Sequence, residues 1–247
     1  MLKIVFALTM LVSSLSFAGG EWYEKGNGGF ILQCPVKANQ TLDLFELQDR
    51  YKTSMTLDTD HAGSVKERVE YLLAKIERLN SNRAAKYRMW FASYEQEAEY
   101  VPNIQFDRLG DLGLVRIPDV CNLAQVIFQR EPGILNSARY TVNKKLWETL
   151  TVLDQAALVM HELIYREFVS SPNFHQTSER SRYFNALVNS KEILKMPLEK
   201  YMGILQELKV ASAGYNQLNP AWTPQWGNLA AYWPMRSEEH TSELQSH

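Results

Sequence analysis

Hydrophobic positions change their rhythm several times along this chain. Ile4 to Val12 form a short apolar run behind Lys3, closed by Ser-rich chain. FILQC, 30–34, is brief and apolar enough for a strand, with Pro35 as its stop. In TLDLFELQDRYK, 41–52, Leu42, Phe45, Leu47 and Tyr51 recur near helical spacing, and Thr41 stands in the N-cap place. LDTDHAG, 57–63, reads as a turn-rich, solvated loop. Ser64 and Glu67 then make the S-x-x-E capping pattern. Behind them Val65, Val69, Leu72, Leu73, Ile76 and Leu79 give the clearest amphipathic stripe of the chain. A further helix is expected over 80–100, opening at Asn82 or close by and ending before Pro102.

The helical period is lost over 103–142. VRIPDV, NLAQVIFQR and ARYTVN are rich in β-branched and aromatic residues between Pro and Gly breaks. They predict several strands, paired largely antiparallel because the connections are too short for crossovers. NKKLWETL opens a short helix. Thr151 and Asp154 cap a long one over 152–169. SERSRYFNALVNS and PLEKYMGILQELKVA predict two more, and 217–235 is a Trp- and Pro-rich irregular segment. The sum is an α+β fold in one domain, a small, mainly antiparallel sheet flanked by helices.

Both ends of the chain change this picture. Residues 1–18 have the charged start, short apolar core and small residues Ser16 and Ala18 of a secretory signal cut after Ala18. The apolar run is too short to span a bilayer. The expectation is a secreted or periplasmic protein with no stable membrane insertion after cleavage. RSEEHTSELQSH, 236–247, reads as the in-frame translation of a common sequencing adapter. It is set aside, which leaves 19–235 as the domain and the native end past Met235 open. The formal net charge of the whole sequence is −2. Without a basic stripe, nucleic acid is not expected as a partner. Cys34 and Cys121 are an even pair in an exported chain, which suggests a disulfide.

Candidate chemistry concentrates in VMHELIYRE, 159–167. Ala157, His161, Ile164, Tyr165 and Phe168 share one apolar stripe, so His161 points to the core. H-E-x-x-H on a helix is the signature of zinc peptidases, because two imidazoles one turn apart reach one ion. The glutamate between them deprotonates the metal-bound water. This chain keeps His161 and Glu162 but has Tyr165 in the second ligand place. A phenol binds as phenolate, and ionising it at pH 7 costs about 4 kcal/mol from its ordinary pKa of about 10. Glu162 and Arg166 lie four apart in the favourable acid-first order, so an ion pair is expected that lowers the Glu162 pKa. A third ligand would have to come from His175 or Glu179.

The chain resembles a group of uncharacterised secreted proteins of Gram-negative, notably predatory, bacteria. The resemblance rests on GNGG followed by a strand ending in Cys34, on VRIPDVCNLA, and on DQAALVMHELIYRE followed by SERSRYFNALV. It covers most of the mature chain, and the group's usual motif is H-E-x-x-Y-R. It implies export, a bond between Cys34 and Cys121, and a special role for His161, Glu162, Tyr165 and Arg166. It implies no activity. A second similarity, to zinc metallopeptidases, covers this helix alone.

Other features carry less. GNGG, 26–29, lacks the Lys-Ser/Thr of a phosphate loop and precedes a strand, so it reads as a turn. Asp58, Asp60 and His61 fit no complete calcium loop. Ser178 and Ser181 near His175 make no triad, since no G-x-S-x-G elbow is present. Trp222, Trp226 and Trp233 would suit a wall glycan as well as a core edge. The leading expectation is a non-catalytic exported protein without cofactor. In it His161, Glu162, Tyr165 and Arg166 form a buried polar cluster. The rival is a zinc-dependent hydrolase, with His161, Tyr165 and His175 or Glu179 on the metal and Glu162 as base. A wall-glycan binder is the third class.

Overall fold

The computed structural model describes residues 29–106, 115–130, 138–170 and 178–210. They form an α+β arrangement of seven α-helices and two three-stranded sheets. β1 (Phe30–Gln33) lies between β2 (Gln40–Thr41) and β4 (Asn122–Gln125), antiparallel to both. β3 (Ala98–Val101) runs parallel to β6 (Tyr140–Asn143), whose other side pairs antiparallel with β5 (Ile127–Gln129). Three of the four strand pairings are antiparallel, as the short connections predict. β4 and β5 are one run of chain that passes from one sheet to the other at Val126. Its N–H bonds to Gly29 O at 3.0 Å, and its carbonyl accepts from Asn143 N at 2.8 Å.

The helices follow their sequence signals closely. α1 spans Leu42–Asp49, α2 Val65–Glu77, and α3 Ser81–Glu97. α4 is a single turn, Lys144–Trp147, and α5 spans Val152–Val169. α6 is Glu179–Val188 and α7 Leu198–Glu207. Ser64 Oγ accepts from Glu67 N at 3.1 Å, which satisfies one of the orphan N–H groups at the start of α2. At α3 the cap is Asn80, whose Oδ1 accepts from Arg83 N at 2.9 Å.

Three local expectations are overturned. The helix expected over 80–100 stops at Glu97, and Ala98 turns extended so that 98–101 can pair with β6. VRIPDV forms no strand. Val115 and Ile117 instead pack beside Phe30, Leu32 and Leu42 in a small second core. The loop 57–63 is not simply solvated, because Asp58 is fully buried. Its carboxylate holds Lys75 Nζ at 2.8 Å and the Tyr71 hydroxyl at 2.9 Å. Arg68 ties the loop's backbone to α2 through the carbonyls of Asp58 and Asp60.

α5 is the centre of the molecule. It packs against α1, α2, α3, α6 and β2. Ala156 to Tyr165 are buried on every side of the helix, which is the mark of a core helix rather than a surface one. Cys34 and Cys121 are joined, bridging the end of β1 to the loop before β4. No helix among the described residues is long and apolar enough to cross a membrane.

Candidate functional site

α5 starts where the sequence places it. Thr151 Oγ1 accepts from Asp154 N at 3.2 Å and donates to Asp154 Oδ2 at 2.5 Å. Asp154 Oδ1 reaches outward and takes the Thr41 N–H at 2.8 Å. Thr41 therefore does not cap α1 with its own side chain. Its N–H and hydroxyl both turn to Asp154, so the first turn of α5 is fastened to β2.

Two turns further on, His161 is 2% exposed. Its Nδ1 lies 2.7 Å from Asp43 Oδ2, on α1. The same oxygen accepts from Asn185 Nδ2 of α6 at 2.6 Å, and that amide also donates to Ala157 O of α5 at 2.9 Å. One carboxylate thus joins three helices. Burial alone would push the imidazole down, since it disfavours the charged form. The Asp43 charge and hydrogen bond, with Glu162 adding, lift His161 to about 9. His161 is therefore an imidazolium held against a carboxylate at neutral pH.

Glu162 faces the other way and is fully buried. Its Oε1 accepts from the N–H of Gly29 at 2.8 Å, across 133 positions of sequence. With the Gln129 amide turned nitrogen-inward, as its neighbours require, that side chain donates to Glu162 Oε2 at 2.9 Å. Both carboxylate oxygens are engaged. Burial pushes the Glu162 pKa up to about 7, against the lowering effects of the His161 charge and the Gly29 N–H.

This corrects the expected Glu162–Arg166 ion pair. Arg166 Nη1 instead lies 3.1 Å from Glu97 Oε2 on α3, and its guanidinium sits over the Trp90 ring at 4.6 Å. Glu97 also holds Arg139 Nε at 2.9 Å. The Glu162 pKa moves up, not down, because burial outweighs the His161 charge and the Gly29 N–H. Helical spacing permits the pair, but Gly29 and Glu97 offer partners in better position.

Tyr165 is 1% exposed, its ring stacked on His161 at 6.2 Å and 12° between planes. Glu179 lies at the start of α6 and joins Arg50 Nη2 at 2.9 Å. His175 and the tryptophans at 222, 226 and 233 lie outside the described residues. Among the described residues no group of three His, Cys, Asp or Glu side chains is placed to hold a metal ion. Nδ1 of His161 is taken by Asp43, and Glu179 is turned to Arg50.

The motif reading found His161 and Glu162 but missed their partners Asp43, Asn185, Gly29 and Gln129. A faint signal existed for Asp43, an acidic residue inside the apolar run Leu42–Asp43–Leu44. No family model, curated protein or solved structure matches the chain.

Proposed function

We propose that this is an exported, non-catalytic protein in which the H-E-x-x-Y-R helix is the polar centre of the interior. The observation that carries the reading is the engagement of Glu162 by Gly29 N–H and Gln129 in a fully buried site. A general base needs a free oxygen facing substrate or a water. Here both oxygens serve to hold β1 and β5 against α5. The signal-like start and the Cys34–Cys121 bond support an oxidising compartment outside the cytoplasm.

The second reading, a zinc-dependent extracytoplasmic hydrolase, has two observations behind it. Metal-binding histidines commonly give their other ring nitrogen to a carboxylate, as His161 does to Asp43. Glu162 also sits near the pKa that suits a base at neutral pH. The engagement of both Glu162 oxygens by Gly29 and Gln129 favours the first reading.

Elemental analysis of the mature, untagged protein separates the two. The expected result is less than about a tenth of an equivalent of zinc per chain, unchanged in His161→Ala. Near one zinc per chain, lost in His161→Ala, would overturn the non-catalytic reading and reinstate the hydrolase.

A further inference from the structure

A second feature is a cleft with no α5 residue among its described lining residues, so it is independent of that helix's role. This cleft, of about 420 Å³, opens at the outer edge of β4. That volume lies within the range of small-molecule sites. Phe30 and Gln33 of β1 and Leu123, Ala124 and Gln125 of β4 form one wall. The segment Asn103–Phe106 forms another wall, and Asn143, Lys145 and Leu146 complete the lining.

The lining chemistry is unusual in kind. Among the described residues it carries five side-chain amides, Gln33, Asn103, Gln105, Gln125 and Asn143, and no carboxylate. An amide offers two donor hydrogens and a carbonyl acceptor on one flat group, which matches the paired donor and acceptor character of vicinal hydroxyls. Two of the amides are set by the fold. Asn143 Nδ2 donates to Ile104 O at 2.5 Å, and its Oδ1 accepts from Leu146 N at 3.1 Å. Gln125 Nε2 donates to Ile127 O at 3.1 Å. Gln33 is half-buried, and Asn103 and Gln105 are exposed at the mouth.

Apolar surface completes the cleft. The Phe106 ring stacks on Phe128 at 5.8 Å and 15°, which fixes its plane, while Phe30 is 5% exposed within its wall. Aromatic rings of fixed plane receive the C–H faces of pyranose rings through weak C–H contacts. Among the described lining residues Lys145 is the one charged side chain, and it lies exposed. A phosphate-rich ligand would call for more cations, and a basic one would call for acids.

We infer that this amide-lined cleft binds a short neutral saccharide, of one or two pyranose rings, through the amides of Gln33, Asn103 and Gln105 and the ring of Phe106. The site differs from the tryptophan segment that the sequence suggested for a glycan. Its ligand class follows from the cleft's own donors and rings.

The test is a titration of the full mature chain with chitobiose and cellobiose, followed by amide chemical shifts. At least one of them shifts the Phe30, Leu123 and Asn143 resonances together, with a dissociation constant of about 1 mM. The double variant Gln33→Ala/Gln105→Ala weakens binding about tenfold or more while keeping the wild-type Tm, since neither side chain belongs to the α5 network. The triple variant Trp222→Ala/Trp226→Ala/Trp233→Ala binds as wild type. The inference is overturned by no shift with either sugar up to about 20 mM, or by affinity unaltered in the double variant. Loss of binding in the tryptophan variant, or an extended tetra-alanine peptide shifting the same resonances in place of the sugars, overturns it equally.

Discussion

A carboxylate on α1 decides the state of the histidine on α5. Asp43 holds His161 as imidazolium at neutral pH, with its pKa lifted to about 9, while burial holds Glu162 at about 7. Both values lie above those of the unfolded chain, 6.5 and 4.5. The folded state therefore binds each proton more tightly. The stabilisation from Glu162 is complete below about pH 4.5 and lost as pH rises through 7, and that from His161 is complete below 6.5 and lost through 9. The His161 effect is on the order of 3 kcal/mol. Lys75, pushed down to about 8 by burial, acts with opposite sign above that pH. Asp43→Asn isolates the histidine. Urea midpoints should fall between pH 6.5 and 9 in the wild type and stay nearly level in the variant. Equal slopes would mean that Asp43 does not hold the proton on His161.

A second residue-scale expectation concerns Tyr94, whose buried hydroxyl has no hydrogen-bond partner among the described residues. Its ring lies 4.6 Å from that of Tyr140. Removing an unsatisfied hydroxyl relieves a desolvation penalty, so Tyr94→Phe should be neutral or stabilising by up to about 1 kcal/mol. A loss above about 1 kcal/mol on denaturation would reveal a buried water bonded there.

Among the elements, α5 was the most legible. Its cap and length follow from local pattern, because a Thr-x-x-Asp start and 3.6-residue spacing act within one helix, whereas its burial on every side does not. The cap and the tertiary tie can be told apart by substitution. Thr151→Ala should cost about 1 kcal/mol, the usual value of a cap. Asp154→Ala should cost about 2–3 kcal/mol, because it also leaves the buried Thr41 N–H without its acceptor. Thermal denaturation of both checks the ranking, and equal losses would deny the fastening to β2. Gly29→Ala tests the middle of the same helix, at Leu158 and Glu162. A Cβ there would collide with Leu158, so loss of about 2 kcal/mol or more is expected, with the Glu162 hydrogen bond displaced. β3 was not legible: Ala98–Glu99–Tyr100–Val101 is extended only because Tyr140–Asn143 lies alongside it. A parallel pair draws on a partner some forty residues away, which no local window contains.

At the scale of the molecule, three buried polar groups fasten the helices around the apolar core. Asp43 joins α1, α5 and α6, and Asp58 joins the 57–63 loop to α2 and Ser190. Glu167 of α5 takes Arg83 Nε at 2.9 Å and the Tyr87 hydroxyl at 2.5 Å, both on α3. The disulfide spans 87 positions and constrains the unfolded chain from β1 to β4. Replacing both cysteines with Ser should lower unfolding free energy by about 2–5 kcal/mol in urea titrations. A loss below about 1 kcal/mol would show that β1 is held by its sheet and by Glu162 alone.

By itself the sequence determined the α+β class, the caps at Ser64 and Thr151, the extent of α5 and the inward direction of His161. Those properties depend on neighbours within a few residues, where periodicity and capping chemistry act. Only the tertiary structure decided what the polar groups of α5 meet. Glu162 turned from Arg166 to Gly29, and Arg166 to Glu97, while His161 found Asp43. In a water-poor interior each buried charge takes the partner that best satisfies it, and that choice depends on which distant strands and helices the packing brings within 3 Å.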